Sequence, residues 1–591
     1  MDDASLSTAP YRDARYAPRR LDIERRPDGA LLLANPTPVD GGFTTTLDAL
    51  VHWGAMAPDR VWLAERAGEA WRTVDYGTAL KQVSALAGGL TALGLRRGDC
   101  LLILARNTVE HALICYAAMA LGVAVAPVSP QYGLAGADLS RLAYACGVLS
   151  PDAVYADDAA AFAGALEADF LKGLPVVVST NARPTDIAFD DLLASAPTAF
   201  TAQPDDTAKL LLTSGSTGRP KAVIGLHRNI AFNAAQIAAC FDDPDPPVVV
   251  NAAPWSHSLG ANAILHMSTH RGGTVYIDAG QPVAGRFAET VRNLKDVSPT
   301  YHNMVPAGWM LFTGELERDE DLARVFFARV RALQYGGAAL SQEFCDRIQA
   351  VAVRTVGEKI SFGSGYGATE TGPTAANVHW HNTRMGLMGL PLPGTSVKLA
   401  PEGDKLEFRV KGPQVTSGYL GLPEVSAASF DEDGFYKLGD AARFIDPEDP
   451  TQGLAFDGRL SENFKLASGT FVGVGDLRIT AVGAVGDAVT DAVVCGEGRE
   501  SVELLFYPRP GVSPDSSASA VRAGLERLNA NAKGSGGKVA RALVLDSAPD
   551  ANAGEITDKG YIAQALGRVG RVDEPRRVPQ PVEAVLVEGG R

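Results

Sequence analysis

Residues 210–225 read Leu210-Leu-Leu-Thr-Ser-Gly-Ser-Thr-Gly-Arg-Pro-Lys-Ala-Val-Ile-Gly225. Leu210 to Leu212 predict a short buried strand. It delivers a loop in which Thr213, Ser214, Ser216 and Thr217 carry hydroxyls, Gly215 and Gly218 act as hinges, and Arg219 and Lys221 close the turn. Glycines let successive backbone N–H groups turn toward one point, hydroxyls add donors, and lysine adds charge, so such a loop is suited to wrap a phosphate chain. The spacing is not the Walker pattern G-x-x-x-x-G-K-[ST], because Lys221 follows Arg219-Pro220 and precedes Ala222. The competing reading is a solvated Ser/Gly turn, which is what most such clusters are.

Outward from this loop, apolar runs alternate with helical periodicity. Cys100 to Leu104, Val123 to Ala126, Val176 to Val178, Val248 to Asn251 and Thr274 to Ile277 predict strands. Leu80, Val83, Leu86, Ala87, Leu90 and Leu93 recur at helical spacing, and further helices are expected near Thr46, from Val109, and over Asn229 to Cys240. Alternation of this kind implies a doubly wound, largely parallel sheet. From about Lys398 the texture changes: Lys405 to Lys411 alternates apolar and polar, as in a half-buried antiparallel strand. Residues 1–42, rich in Pro, Arg and Asp, are expected to wrap the surface. Ala112 to Val128 is almost wholly apolar, but it is shorter than the ~20 residues of a bilayer helix and carries a stop at Gly122. It reads as a buried helix followed by a strand rather than a membrane span.

At 591 residues the chain needs several domains or subdomains. A net charge of −15 argues against nucleic acid or an anionic membrane as the main partner. The six cysteines are scattered with no C-x-x-C spacing, which fits reduced, cytoplasmic thiols better than zinc or a disulfide framework. The first twenty residues lack the apolar core of a signal peptide.

Six further stretches carry chemistry: Ala253-Pro-Trp-Ser-His257, Tyr335-Gly-Gly-Ala-Ala-Leu340, Tyr366-Gly-Ala-Thr-Glu-Thr371, Gly434-Phe-Tyr-Lys-Leu-Gly-Asp440, Gly458-Arg-Leu-Ser-Glu-Asn-Phe-Lys465 with Gly469, and Gly554-Glu-Ile-Thr-Asp-Lys559. Singly, each has a bland reading: a satisfied histidine, a glycine turn, a helix cap, a turn aspartate, a solvated lysine. Together with TSGSTGRPKAV, and in this order, they resemble the adenylate-forming superfamily of acyl-CoA synthetases, peptide-synthetase adenylation domains and luciferases. The resemblance covers nearly the whole chain from about residue 40.

The resemblance implies ATP, Mg²⁺ and coenzyme A, with a small carboxylic acid as the remaining substrate. Thr213, Ser214, Gly215, Ser216, Thr217, Gly218 and Lys221 would hold phosphates. Gly336, Gly337, Ala338 and Ala339 would lie along the adenine, beside Tyr366 and Gly367. His257 would border the carboxylate pocket, Thr369 would touch phosphate and Glu370 would hold the metal. Asp440 would accept from the ribose hydroxyls and Arg459 would face the nucleotide. Lys465 and Gly469 would open the small C-terminal domain, with Gly469 beside the thiol channel. Lys559 would be the catalytic lysine, with Lys533 and Lys538 as rivals.

Departures exist. Leu438 stands where Thr is usual, Ser461 replaces the usual pivot Asp or Lys, Val472-Gly-Val-Gly-Asp-Leu-Arg478 replaces V-x-P-x-E-I-E, and Lys559 falls one place late. The implied fold is α/β: a large domain over 1–457 of two doubly wound subdomains and a small β-barrel-like one (1–200, 201–397, 398–457), then a small mobile α+β domain over 458–591 on a hinge near 458–461.

Val51-His-Trp53, Phe456-Asp-Gly-Arg459, Phe464-Lys-Leu-Ala-Ser-Gly-Thr470 and Glu555-Ile-Thr-Asp-Lys-Gly-Tyr561 resemble bacterial feruloyl-CoA synthetases in particular. That points to hydroxycinnamates, with benzoates and fatty acids behind them. The acid pocket is expected near Trp255 to Asn262, Tyr301 to Pro306, Gly336 to Ala338 and Gly367 to Thr371, its glycines leaving a flat slot. A module that loads a carrier protein is the rival, though the chain shows no G-x-D-S-L carrier serine. A non-catalytic sensor is a third class, and no G-x-S-x-G elbow supports a hydrolase. A homodimer is compatible with all of this.

Overall fold

The protein is described by a computed structural model over residues 8–39, 42–214, 220–283, 285–337, 340–460, 464–509, 511–532, 534–545 and 585–586. Its centre is a seven-stranded sheet in the order Pro220–Leu226, Thr207–Ser214, Ala124–Pro127, Cys100–Leu104, Ala153–Asp158, Val176–Thr180 and Ile187–Ala188. Every neighbouring pair is parallel except the first, where Pro220–Leu226 turns back against Thr207–Ser214. The apolar stretch expected to be a helix–strand pair is one. Helix Val109–Ala120 starts at Thr108, whose hydroxyl accepts from the His111 N–H at 3.1 Å, and it is buried almost throughout between sheets. Among the described residues no helix is long and apolar enough to cross a membrane. The six cysteines are free and buried.

A four-stranded sheet (Val248–Asn251, Thr274–Ile277, Val61–Ala67, Ala70–Asp75) forms the second layer. The Thr300 N–H donates to the Val248 carbonyl at 2.8 Å, which joins this layer to the start of strand Tyr301–Met304. That strand opens an eleven-stranded sheet. Tyr301–Met304, Ala332–Gly336 and Ser361–Tyr366 run parallel, and the remaining strands continue antiparallel through Leu454–Arg459, Tyr436–Phe444 and Lys405–Lys411.

Two expectations are corrected here. The strands after Lys398 do not close into a barrel among the described residues; they extend the sheet as an open antiparallel ribbon. The N-terminal segment does not merely wrap the surface. Leu31–Ala34 pairs with Ser396–Glu402, Asp22–Arg25 adds the edge strand, and Leu33 is fully buried.

Beyond Arg459, a second core gathers Phe464, Leu477, Val494, Leu504, Phe506 and Leu525 between helices Val474–Val485 and Pro514–Asn531 and a sheet of Val489–Cys495, Val502–Pro508, Val539–Val544 and Val585–Leu586.

A charged knot pins the N-terminal segment to the Tyr301 strand. The buried Asp243 carboxylate accepts from Tyr301 Oη at 2.6 Å, from Arg15 Nη1 at 2.9 Å and from Arg331. Burial works to raise its pKa, but these donors outweigh it and hold the group at about 2. Because the folded value is depressed, the stabilisation is fully present above the unfolded value near 3.9 and is lost as pH falls toward about 2. Asp243→Asn is therefore expected to lower Tm by several degrees at pH 7, with the deficit shrinking below about pH 4. Thermal melts of both proteins across that range check it.

Candidate active site

Parallel strands of an open α/β sheet present their carboxyl ends to a crevice, and ligands bind there. Three such ends carry the sequence-selected residues: Thr213 and Ser214 on Thr207–Ser214, Gly336 on Ala332–Gly336, and Tyr366 on Ser361–Tyr366. Thr213 pairs in register with Lys221 on the returning strand. Its hydroxyl oxygen is buried and has no hydrogen-bond partner among the described residues. Such a group is costly to leave unmet, so the site suits an incoming acceptor oxygen. Gly215, Ser216, Thr217 and Gly218 lie outside the described residues, as do Ala338, Ala339 and Lys559.

The two chemistry-bearing segments meet. Lys221 Nζ lies 4.1 Å from the centroid of the Tyr419 ring. Tyr419 donates its hydroxyl to Glu370 Oε1 at 3.0 Å, and its oxygen lies 2.8 Å from the Tyr436 hydroxyl. Burial, reinforced by the Glu370 carboxylate, raises the Tyr419 pKa to about 12, so it stays a neutral donor. Next to Glu370 on the Thr369–Thr371 turn, Thr369 Oγ1 lies 3.1 Å from Ser258 Oγ. Ser258 adjoins half-buried His257 at the start of an unusual helix, Leu259–His266, wound with π-type turns. Turns of that kind gather at functional sites.

On the other flank, Tyr366 donates to Asp440 Oδ2 at 2.6 Å, and Arg459 Nε stands 3.2 Å from Asp440 Oδ1. Asp440 and Arg459 are register partners on Tyr436–Phe444 and Leu454–Arg459. Thr213 and Lys221 are thus linked through Tyr419 to Glu370, Thr369 and Ser258, and Tyr366 ties Asp440 to the end of Ser361–Tyr366.

Other expected residues have different reasons for being where they are. A Cβ on Gly367 would sit 2.1 Å from the Pro373 carbonyl oxygen, so glycine there is required by the turn itself, not by a slot. At Gly336 a Cβ would meet Leu259 at 3.8 Å, an ordinary packing contact, so crowding does not require glycine there, and Gly337 follows at φ +86°. Gly469 has φ +80°, a left-handed turn that favours glycine, and a Cβ there would meet no atom of the described residues within 4 Å. Lys465 is exposed on the two-residue strand Phe464–Lys465.

Trp255 and Tyr301 each have a structural partner. Trp255 is buried against His111, with ring centroids 5.2 Å apart, and Tyr301 serves Asp243. Tyr419 is the site residue that sequence reasoning missed; Ser258 and Tyr436 fall inside stretches it selected, but without a role of their own.

An α/β protein with hydroxyl, lysine and carboxylate groups at the mouths of its parallel strands is the class that fold and geometry define. The AMP-binding enzyme family matches residues 50–420. The chain belongs to that family and is an AMP-forming acid–thiol ligase.

It is 28% identical to a feruloyl-CoA synthase of Amycolatopsis sp over 382 residues, 62% of this chain and 70% of that protein. It is 27% identical to 4-coumarate–CoA ligase 3 of Oryza sativa subsp. japonica over 405 residues, 65% of this chain and 68% of that protein. The fold is similar to that of o-succinylbenzoate CoA synthetase from Bacillus subtilis, solved with its acyl-adenylate intermediate: TM-score 0.68 at 20% identity, over 88% of this chain and 97% of that one.

Proposed function

We propose that this enzyme is an ATP-dependent acid–CoA ligase acting on an aromatic, hydroxycinnamate-like acid, with Mg²⁺ as its metal. The observation that carries the reading is the contact chain from the strand end at Thr213 through Lys221 and Tyr419 to Glu370. The acid class is supported by the similarity to feruloyl- and 4-coumarate-activating relatives.

In the first half-reaction an oxygen of the acid's carboxylate attacks the α-phosphorus of ATP. The bond to the β-phosphate oxygen breaks, pyrophosphate leaves, and a mixed anhydride with AMP remains. The protein contributes position and charge neutralisation rather than covalent help. Thr213 and the loop after it hold phosphate oxygens, Asp440 accepts from the ribose hydroxyls with its carboxylate already oriented by Tyr366, and His257 with Ser258 borders the carboxylate. Lys559 neutralises charge gathering at the α-phosphate. In the second half-reaction the C-terminal domain turns on a hinge near 458–461. The thiol of CoA then attacks the acyl carbon, AMP departs with the carbon–oxygen electron pair, and the thiol proton is lost to solvent.

Mg²⁺ prefers hard oxygen ligands, commonly one or two carboxylates plus substrate phosphates, and the buried Glu370 carboxylate, joined through Tyr419 to Lys221, fits that donor set. When bound, the ion would offset phosphate charge. Tyr419 fixes where the carboxylate points, so Tyr419→Phe is expected to raise the KM for Mg·ATP roughly 3- to 10-fold with little change in the KM of the acid, about the net worth of one ordinary hydrogen bond. Steady-state kinetics in both substrates check it.

A cytoplasmic location and action on free CoA complete the proposal. Exchange of labelled pyrophosphate into ATP across cinnamates, benzoates and fatty acids tests the first step. Release of an acyl-CoA by the purified chain separates a CoA ligase from a carrier-loading module. No exchange with any acid would end the reading.

A further inference from the structure

Lys209 is a charged group that neither half-reaction uses. It lies on Thr207–Ser214, four residues before Thr213, yet it is only 4% exposed. Its Nζ donates to Asn262 Oδ1 at 3.2 Å, the one hydrogen bond it makes among the described residues, and no carboxylate of those residues lies against it. Burial pulls its pKa down to about 8, which still leaves a cation at neutral pH. A lysine ammonium has three donors, and a buried one without counter-charge is costly.

The surroundings point toward the acid pocket. Asn262 sits on the π-type helix Leu259–His266, one turn beyond Ser258, and its Nδ2 donates to the carbonyl of Gly372, two residues past Glu370. One turn further, buried His266 meets the Tyr116 hydroxyl through Nδ1 at 3.0 Å, while its Nε2 has no partner among the described residues. Burial first, and the charge of Lys209 second, keep that imidazole neutral. The helix therefore runs from the reacting end at Ser258 and Thr369 inward, and one turn along it, at Asn262, it reaches a cation with donors to spare. A cation set back from the reacting end in this way faces the ring side of an aromatic acid rather than its carboxylate.

We infer that Lys209, oriented by Asn262, reads a ring hydroxyl at the far end of the acid, so that the enzyme selects phenolic acids over the same acids without that hydroxyl. This rests on reading the cleft as an acid-activating site. The ammonium gains an acceptor, the hydroxyl gains a charge-assisted partner, and the buried charge is no longer unmatched.

The test titrates 4-hydroxy-3-methoxycinnamate and 3-methoxycinnamate calorimetrically into the full chain and into Lys209→Met and Lys209→Gln, each checked for a cooperative melt. The unsubstituted chain is expected to bind the hydroxylated acid about 10- to 100-fold more tightly, the scale of one hydrogen bond to a charged group. Both variants are expected to lose that margin while holding the deoxy acid within about 3-fold, a packing-scale change. Equal binding of the two acids by the unsubstituted chain, a margin that survives in a folded variant, equal weakening of both acids, or no binding of the hydroxylated acid would each overturn the assignment. Pyrophosphate exchange with the same acids keeps the two readings apart. Exchange without a hydroxyl margin removes only the role of Lys209, whereas silence with every acid removes the ligase reading and leaves the titration to decide Lys209.

Discussion

Lys559→Ala is expected to abolish adenylate formation while sparing thioester formation from supplied acyl-adenylate. The argument is one of charge. Two cations of the cleft are already committed: Lys221 lies over the Tyr419 ring beside Glu370, and Arg459 stands against Asp440. Negative charge gathering between the α-phosphate and the entering carboxylate needs a further cation, and Lys559, in Gly554-Glu-Ile-Thr-Asp-Lys559, is the residue that the family pattern brings to that task. Removing one preorganised group of this kind costs a few kcal/mol, or about 10²–10³ in rate. The second half-reaction has no phosphorus–oxygen bond to break, so CoA and preformed adenylate are expected to react at close to the normal rate. Pyrophosphate release and thioester formation, measured separately on the variant, check both halves. Near-normal pyrophosphate release would move the role to Lys533 or Lys538, each testable by the same substitution.

The parallel core was legible because its signals are local. Val248–Asn251 and Thr274–Ile277 are short apolar runs with clear flanks, and they fall at the positions that sequence periodicity assigns. Leu31–Ala34 was not legible for the opposite reason. Four residues inside a polar segment carry little pattern, and the partner that makes them a strand, Ser396–Glu402, lies more than 350 residues away.

The site divides in the same manner. Thr369, Glu370 and Asp440 announce themselves by motif. Tyr419 does not, because its role is to reach Glu370 from a separate stretch of chain, and nothing about Thr416-Ser-Gly-Tyr419 encodes that contact. Lys209 was hidden by its neighbours: in Ala208-Lys-Leu-Leu-Leu212 the apolar run reads as strand, and the one cation in it shows its cost only when the fold buries it. Gly367 failed in the reverse direction. Its residue type suggested an open slot, whereas the Pro373 carbonyl fills the space a side chain would need.

Glu370→Gln is expected to lower kcat/KM for Mg·ATP by about 10²-fold, the scale of one lost electrostatic contact at a reacting phosphate. The substitution separates charge from shape. Glutamine keeps an oxygen to accept from Tyr419, whose hydroxyl lies 3.0 Å from Glu370 Oε1, so the turn over Thr369–Thr371 and its backbone bond from the Thr416 N–H to the Glu370 carbonyl stay in place. What is lost is the negative charge that a hard divalent cation needs from the protein side. Two readouts follow. Half-maximal activity is expected to require more Mg²⁺, and in equilibrium binding the Mg²⁺-dependent part of ATP affinity is expected to shrink while metal-free ATP binding holds steady or tightens, because a like charge near the phosphates has gone. A variant with unchanged Mg²⁺ dependence in both assays would take the metal away from Glu370 and leave the carboxylate as a purely structural partner of Tyr419. If Tyr419→Phe in turn altered the KM of the acid as much as that of Mg·ATP, the tyrosine would be holding the whole turn rather than aiming one carboxylate.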